Sequence, residues 1–147
     1  MSQATSVPPL LNKTMKFVLS SPLHGMVSQS TLLITFTGRM SGKAYTTPVS
    51  YSQHGNQVLV FTHASWWKNL GSGAPVTLRL RGRELHGLAQ PEVSDKRAIA
   101  IGLAAHLRAV PFDARYYDVT FNENGNPRTE EVQAAVKTVV MIRIHLC

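Results

Sequence analysis

Apolar and polar residues alternate along much of the middle of the chain. In "APVTLRL", Val76, Leu78 and Leu80 alternate with Thr77 and Arg79, the period of a strand with one buried face. The longer run "APVTLRLRGRELHGLAQPE" therefore reads as a hairpin turning near Gly82. Three more β-rich runs precede it, "TLLITFT", "AYTTPVSYSQ" and "QVLVFTH", separated by a turn bracketed by Gly38 and Gly42 and by a second turn at "HGN". Pro48 cannot donate to a β-ladder, so it points to an edge or a bulge in the second run. "VVMIRIHL" closes the chain as a last strand.

The other segments carry a helical period. Residues 1–9 form a loose polar leader. Leu11, Met15, Val18 and Leu19 then share one helical face, and Pro22 after Ser21 suits the first turn of a second short helix. Residues 10–28 are thus expected to be an N-terminal helical segment. "SWWKNLGSG" suggests one helical turn ending at Gly71. "SDKRAIAIGLAAHLRAV" is the clearest helix, with Ser94 or Asp95 as cap, Ile99, Leu103, His106 and Leu107 on one face, and Pro111 as its stop. "PFDARYYDVTFNENGNP" reads as irregular and aromatic, and "TEEVQAAVKT" as a short helix. The expected fold is α+β, mainly β. It is a single domain over residues 1–147, a closed or half-closed barrel of five or six mostly antiparallel strands with packed helices.

Composition narrows the function. A chain of 147 residues with 44% hydrophobic and 16% charged residues is globular. The net charge of +7 favours an anionic partner: nucleic acid, an acidic membrane surface or a phosphorylated small molecule. Arg79, Arg81 and Arg83 belong to one hairpin and lack an aromatic stacking platform, which makes nucleic-acid binding a weak reading. The N-terminal helix, with Lys13 and Lys16, offers a peripheral membrane contact, although packing over the barrel is the favoured reading. Cys147 is the lone cysteine, so no intrachain disulfide forms, and a reducing cytoplasm is compatible with that. No apolar run reaches the ~18 residues of a membrane span, and no signal-peptide core is present, so a cytoplasmic location is expected. The six histidines show no metal-ligand spacing, and no metal is assigned. No Ser-His-Asp order is legible either.

The segment "GRMSGK" carries the candidate chemistry. Glycines allow close approach of backbone N–H groups to a ligand, and successive N–H groups form an anion-binding nest. Arg39 and Lys43 add charge, while Ser41, Thr46 and Thr47 add hydroxyl donors. This suits a phosphate, though the spacing is not that of a P-loop. On composition alone a solvated hairpin turn is the favoured reading.

The ordered set in "LLITFTGRMSGKAYTTPVSYSQHGNQVLVFTHASWWKNL" resembles the deazaflavin-dependent nitroreductase family. That family has a strand, a G-R-K-S-G-type turn, a strand entered through T-x-P-[VL], and a later W-x-x-N-L segment. "SPLHGMVSQS" is similar to one branch of it. The resemblance implies a split β-barrel and binding of coenzyme F-420, a deazaflavin with a phosphate and an oligoglutamate tail. It gives the positive charge a polyanionic partner. It implies that Arg39, Ser41, Gly42, Lys43 and Thr47 hold the phosphate end, with Pro48, Val49, His63 and Asn69 also on the cofactor side. Trp66 or Trp67 would line the ring pocket, and Tyr116 or Tyr117 would face the substrate as catalytic groups. A hydride would pass to a small organic acceptor, a quinone or a nitro-compound. A homodimer is compatible with the family. The chain departs from the family pattern at Met40, in place of a lysine, at Tyr45, in place of an arginine, and at His63, Ala64 and Ser65, where relatives carry a longer loop. An FMN-binding protein on the same barrel, or a non-enzymatic carrier or sensor, remains the alternative.

Overall fold

The computed structural model describes residues 30–147. The leader and helical segment expected over residues 1–28, and with them the proposed membrane contact, lie outside the described residues. Six strands close into an antiparallel barrel: β1 (Thr31–Thr37), β2 (Ala44–His54), β3 (Gln57–Thr62), β4 (Ala74–Leu80), β5 (Arg83–Glu92) and β6 (Val140–Leu146). Around the wall the order is β1-β2-β3-β6-β5-β4, and β4 pairs back onto β1. All six strands were expected from the apolar pattern. The turn of the second hairpin is Arg81-Gly82, between Leu80 and its partner Arg83. Both residues have positive φ, 51° and 75°, the geometry that matches the twist of a two-residue hairpin.

Strand alternation produces two cores. Leu32, Ile34, Phe36, Val58, Val60, Val76, Leu78, Ile142 and Ile144 fill the barrel interior. The residues between them on β3 and β6, Leu59, Phe61 and Met141, face outward. That outer face is covered by helix α1 (Lys96–Ala109) and helix α2 (Thr129–Ala135). Of the two candidate caps, Asp95 caps α1, accepting from the Ala98 N–H at 3.1 Å. Ile99, Leu103, His106 and Leu107 are its buried stripe. Gly102 lets α1 lie close to β6, because a Cβ there would stand 2.5 Å from Met141 Sδ. After α1, residues Pro111–Tyr117 form a 3-10 turn where the sequence suggested irregular chain. Proline at its first position sets φ without needing an N–H partner. Residues Ser65–Leu70 form a second 3-10 turn, and its Trp66 and Leu70 plug the barrel.

Candidate active site

Among the described residues, the barrel wall parts between β2 and β3. β2 pairs with β3 only from Tyr51↔Val60 to His54↔Gln57. Beyond Tyr51, toward Ala44, β2 keeps β1 as its one ladder partner among the described residues, while β3 continues along β6 as far as Thr62↔Val140. Pro48, which has no N–H to give, sits in this half of β2. The opening holds a cleft of about 370 Å³ with residues 47–50 on one bank, residues 61–64 on the other, and Trp66 at its end. A neighbouring cleft of about 260 Å³ shares Pro48, Val49 and Ser50 and adds Phe112, Asp113 and Tyr116. A third, of about 210 Å³, joins His63 and Tyr116 to Tyr117 and Glu131. The three share walls, so together they form one depression. A larger groove of about 820 Å³ lies between α1 and α2 and contains none of the sequence-predicted site residues.

The glycine-bracketed turn, residues 38–43, leads into this bank of β2. Gly38 N–H donates to Lys43 O at 2.7 Å and Gly42 N–H to Gly38 O at 2.8 Å. Gly42 takes the left-handed conformation, φ 72°. Lys43 N–H donates to Ser41 Oγ at 3.2 Å, and Arg39 N–H donates to Asn69 Oδ1 at 3.0 Å. Four of the turn's N–H groups are therefore used inside the protein, and the exposed charge is carried by the side chains of Arg39 and Lys43. Neither forms an ion pair with a carboxylate among the described residues, nor does the nearby Lys68. Tyr45 explains part of this closed shape. Its hydroxyl shares a hydrogen bond with Ser41 Oγ at 3.0 Å, and its ring stacks on Phe36. The ring also passes so near Gly38 that a Cβ there would lie 2.6 Å from it. Met40 points into solvent, 83% exposed.

Asn69 connects the turn to the tryptophan segment. While its Oδ1 accepts from Arg39, its Nδ2 donates to Trp66 O at 2.9 Å. Trp66 is buried and stacks on Phe36, with centroids 5.1 Å apart at 20°. Trp67 is half-buried, with Lys68 Nζ 5.9 Å from the centre of its ring. Trp66 thus belongs to the barrel core and also lines the cleft. Thr47 is buried and Val49 half-buried on the cleft bank.

The two tyrosines differ. Tyr116 is exposed, and its hydroxyl accepts from Arg115 at 3.1 Å. Tyr117 is half-buried against His63, with ring centroids 5.7 Å apart. Burial, and then the Asp113 carboxylate, push its phenol well above the ordinary value of 10.0. It therefore stays protonated through all ordinary pH. Across the third cleft, the N–H and O–H of Thr120 donate to Glu131 Oε1 at 2.7 and 2.8 Å and hold that carboxyl below its usual range.

One constellation escaped sequence reasoning. His106 from α1 is wholly buried, and its Nε2–H donates to Asp113 Oδ2 at 2.8 Å. The Ser50 hydroxyl, on the cleft bank of β2, donates to the same oxygen. His106 Nδ1 has no hydrogen-bond partner among the described residues. The carboxylate stands between serine and histidine, so this is not the order of a nucleophilic triad, where histidine stands in the middle. In sequence His106 is one more residue on an apolar helix face, and Asp113 hides in an aromatic segment. The legible signal was an aspartate seven residues beyond a core histidine, across a proline break. Among the described residues no group of three or more potential metal ligands comes together, and no helix is long and apolar enough to cross a membrane.

A six-stranded antiparallel barrel with a parted wall and a cationic turn beside the opening is the split β-barrel of flavin and deazaflavin oxidoreductases. Solved structures share this fold. An F420-H2 dependent reductase, FDR-A, is 18% identical, with a TM-score of 0.51 over 80% of this chain and 95% of its own. The conserved hypothetical protein Rv2991 from Mycobacterium tuberculosis is 20% identical, with a TM-score of 0.56 over 99% of this chain and 81% of its own. A domain-swapped dimer is 16% identical, with a TM-score of 0.53 over 92% of this chain and 96% of its own. No curated protein matches the chain. The family described as F420H(2)-dependent quinone reductase matches residues 18–134, and the chain belongs to that family.

Proposed function

We propose that this protein binds reduced coenzyme F-420 across the parted wall and delivers its reducing power to a small organic acceptor, a quinone or a nitro-compound. The observation that carries this reading is the arrangement of charge and cleft. Arg39, Lys43 and Lys68 stand without carboxylate partners among the described residues, and the cleft bank begins four residues beyond Lys43. At ~3.3 Å per strand residue, that separates charge and cleft by roughly 13 Å. A ligand with an anionic group at one end and a ring at the other spans such a distance.

The residues fit the group. With four N–H groups of the turn committed internally, the guanidinium of Arg39 and the ammonium of Lys43 hold the phosphate end, and Ser41 and Gly42 shape the turn that presents them. Pro48, Val49 and His63 flank the ring site, with Thr47 and Trp66 lining the same cleft. Asn69 fixes the turn relative to this wall. When bound, the reduced cofactor supplies a hydride. Phe61, Ala64 and the half-buried Tyr117 exclude water from the place where it is delivered, and Tyr116 borders the acceptor side. The test is a titration of tryptophan fluorescence with F-420 and with FMN. Tighter binding of F-420 is expected, and equal or tighter binding of FMN overturns the reading in favour of a flavin protein.

A further inference from the structure

The buried Ser50–Asp113–His106 network lies against the depression, yet the hydride reading gives it no task. An ionisable pair this deep is costly unless something holds it together. His106 is fully buried, Asp113 is 4% exposed, and the imidazole keeps one nitrogen without a partner among the described residues. A leucine at position 106 would continue the apolar stripe of α1 at no such cost. The two donors also converge in a particular way. His106 Nε2–H and Ser50 Oγ–H both donate to Oδ2, so Oδ1 is the oxygen left to carry an exchangeable proton. Asp113 lines the cleft beside Phe112 and Tyr116, and Ser50 lines both that cleft and the one in the parted wall.

We propose that Asp113 is the proton-exchanging carboxyl of this site, with His106 and Ser50 as positioning residues that hold it. The proposal rests on the reductase reading above. For a quinone, two electrons arrive as a hydride and one proton is needed besides. In the step, an O–H bond forms on the acceptor oxygen and the Oδ1–H bond of Asp113 breaks. The acceptor is reduced to the hydroquinone, the deazaflavin is oxidised by two electrons, and the carboxylate left behind is held by the N–H of His106 and the O–H of Ser50. A proton from solvent, through the open cleft, restores it. Tyr117 is the poorer acid, since burial makes its phenol hold its proton. Among the described residues, the titratable and charged groups around Asp113 include His106 from α1 and Arg115, Tyr116 and Tyr117 from its own turn. β2 brings Ser50, and β3 brings the apolar ring of Phe61, 5.3 Å from the imidazole.

The test uses the full chain in two arms. In the first, without cofactor, imidazole nitrogen NMR should show His106 protonated at Nε2, and saturating menadione should move that signal. Asp113→Asn should remove the response and weaken menadione binding about tenfold. In the second arm, with F-420 in its reduced form and menadione, Asp113→Asn should lower kcat by ~10²–10⁴, the usual loss for a missing acid–base group, while cofactor affinity stays within about threefold. Ser50→Ala, which leaves the carboxyl in place, should displace the pH profile of kcat and keep activity at its optimum within about tenfold. It also serves if the asparagine variant fails to fold. An unmoved His106 signal, or an Asp113→Asn kcat within about threefold of the parent, overturns the proposal. A protein that responds to menadione in the first arm yet binds no F-420 overturns the reductase reading, whereas one that binds F-420 with an unmoved His106 signal overturns the carboxyl's role alone.

Discussion

Lys43→Ala removes one of the cations that the turn presents, and its expected effect follows from how the turn is built. The N–H groups of Gly38, Arg39, Gly42 and Lys43 are spent inside the protein, so they cannot take over when a side-chain charge is lost. A charge-assisted hydrogen bond contributes roughly 1.5–3 kcal/mol. Lys43 is exposed, and solvent screening puts it at the lower end, about 1.5 kcal/mol, or roughly a tenfold loss of F-420 affinity at low salt. The fold should not change, because the substitution leaves the backbone hydrogen bonds of the turn in place. Fluorescence titration at two salt concentrations measures both consequences. Affinity should drop about tenfold, and what remains should depend less on salt. A change of less than about threefold with an unaltered salt dependence would show that the phosphate end sits elsewhere.

Other substitutions separate position, packing and titration. Asn69→Ala cuts the link from Arg39 N–H and the one to Trp66 O; two neutral hydrogen bonds, one of them exposed, suggest a stability loss of about 1–2 kcal/mol, read by denaturant melting, with F-420 affinity falling while its salt dependence stays intact. Gly102→Ala sets a methyl against Met141 Sδ, an overpacking that costs roughly 1–3 kcal/mol; an unchanged melting midpoint would mean that α1 rides freely on the barrel. Tyr117→Phe concerns alkaline stability. The phenol's pKa is raised in the fold, so the unfolded chain releases its proton first. The parent's stability should therefore fall as pH climbs above about 10, and that fall should be shallower in the phenylalanine variant when thermal melts are compared at pH 8 and 11.

Strands were legible because alternation depends on a local period. Val76, Leu78 and Leu80 announce a buried face whatever they later touch, and Ser94-Asp95 announces a cap. The parted wall has no such signature. Whether β2 stays beside β3 depends on how β6 draws β3 away, and no window of sequence contains both. Pro48 gave the one local sign, a residue unfit for a ladder on both sides. The turn was legible as glycine, charge and hydroxyls, but not the use of its N–H groups, because Asn69 lies thirty residues downstream. Trp66 illustrates the opposite difficulty. An indole beside a cleft and an indole plugging a barrel look alike in sequence, and only the stack on Phe36 distinguishes them. The Ser50–Asp113–His106 network was hidden because its members come from a strand, a turn and a helix whose meeting depends on the whole packing of α1 against the outer wall.

The parted wall also bears on what this protein keeps out. Closing a barrel normally leaves no strand free to recruit another chain. Here, among the described residues, a short stretch of β2 is reopened, and such an edge is an invitation to stray strands as much as to a ligand. Pro48 withdraws a donor from the middle of that stretch. A flat small molecule can enter such a gap, while an extended peptide finds no continuous ladder to join. Replacing Pro48 with threonine would restore the missing N–H, and its first effect would be on colloidal behaviour: slow self-association in concentrated solution, with the barrel itself still folded.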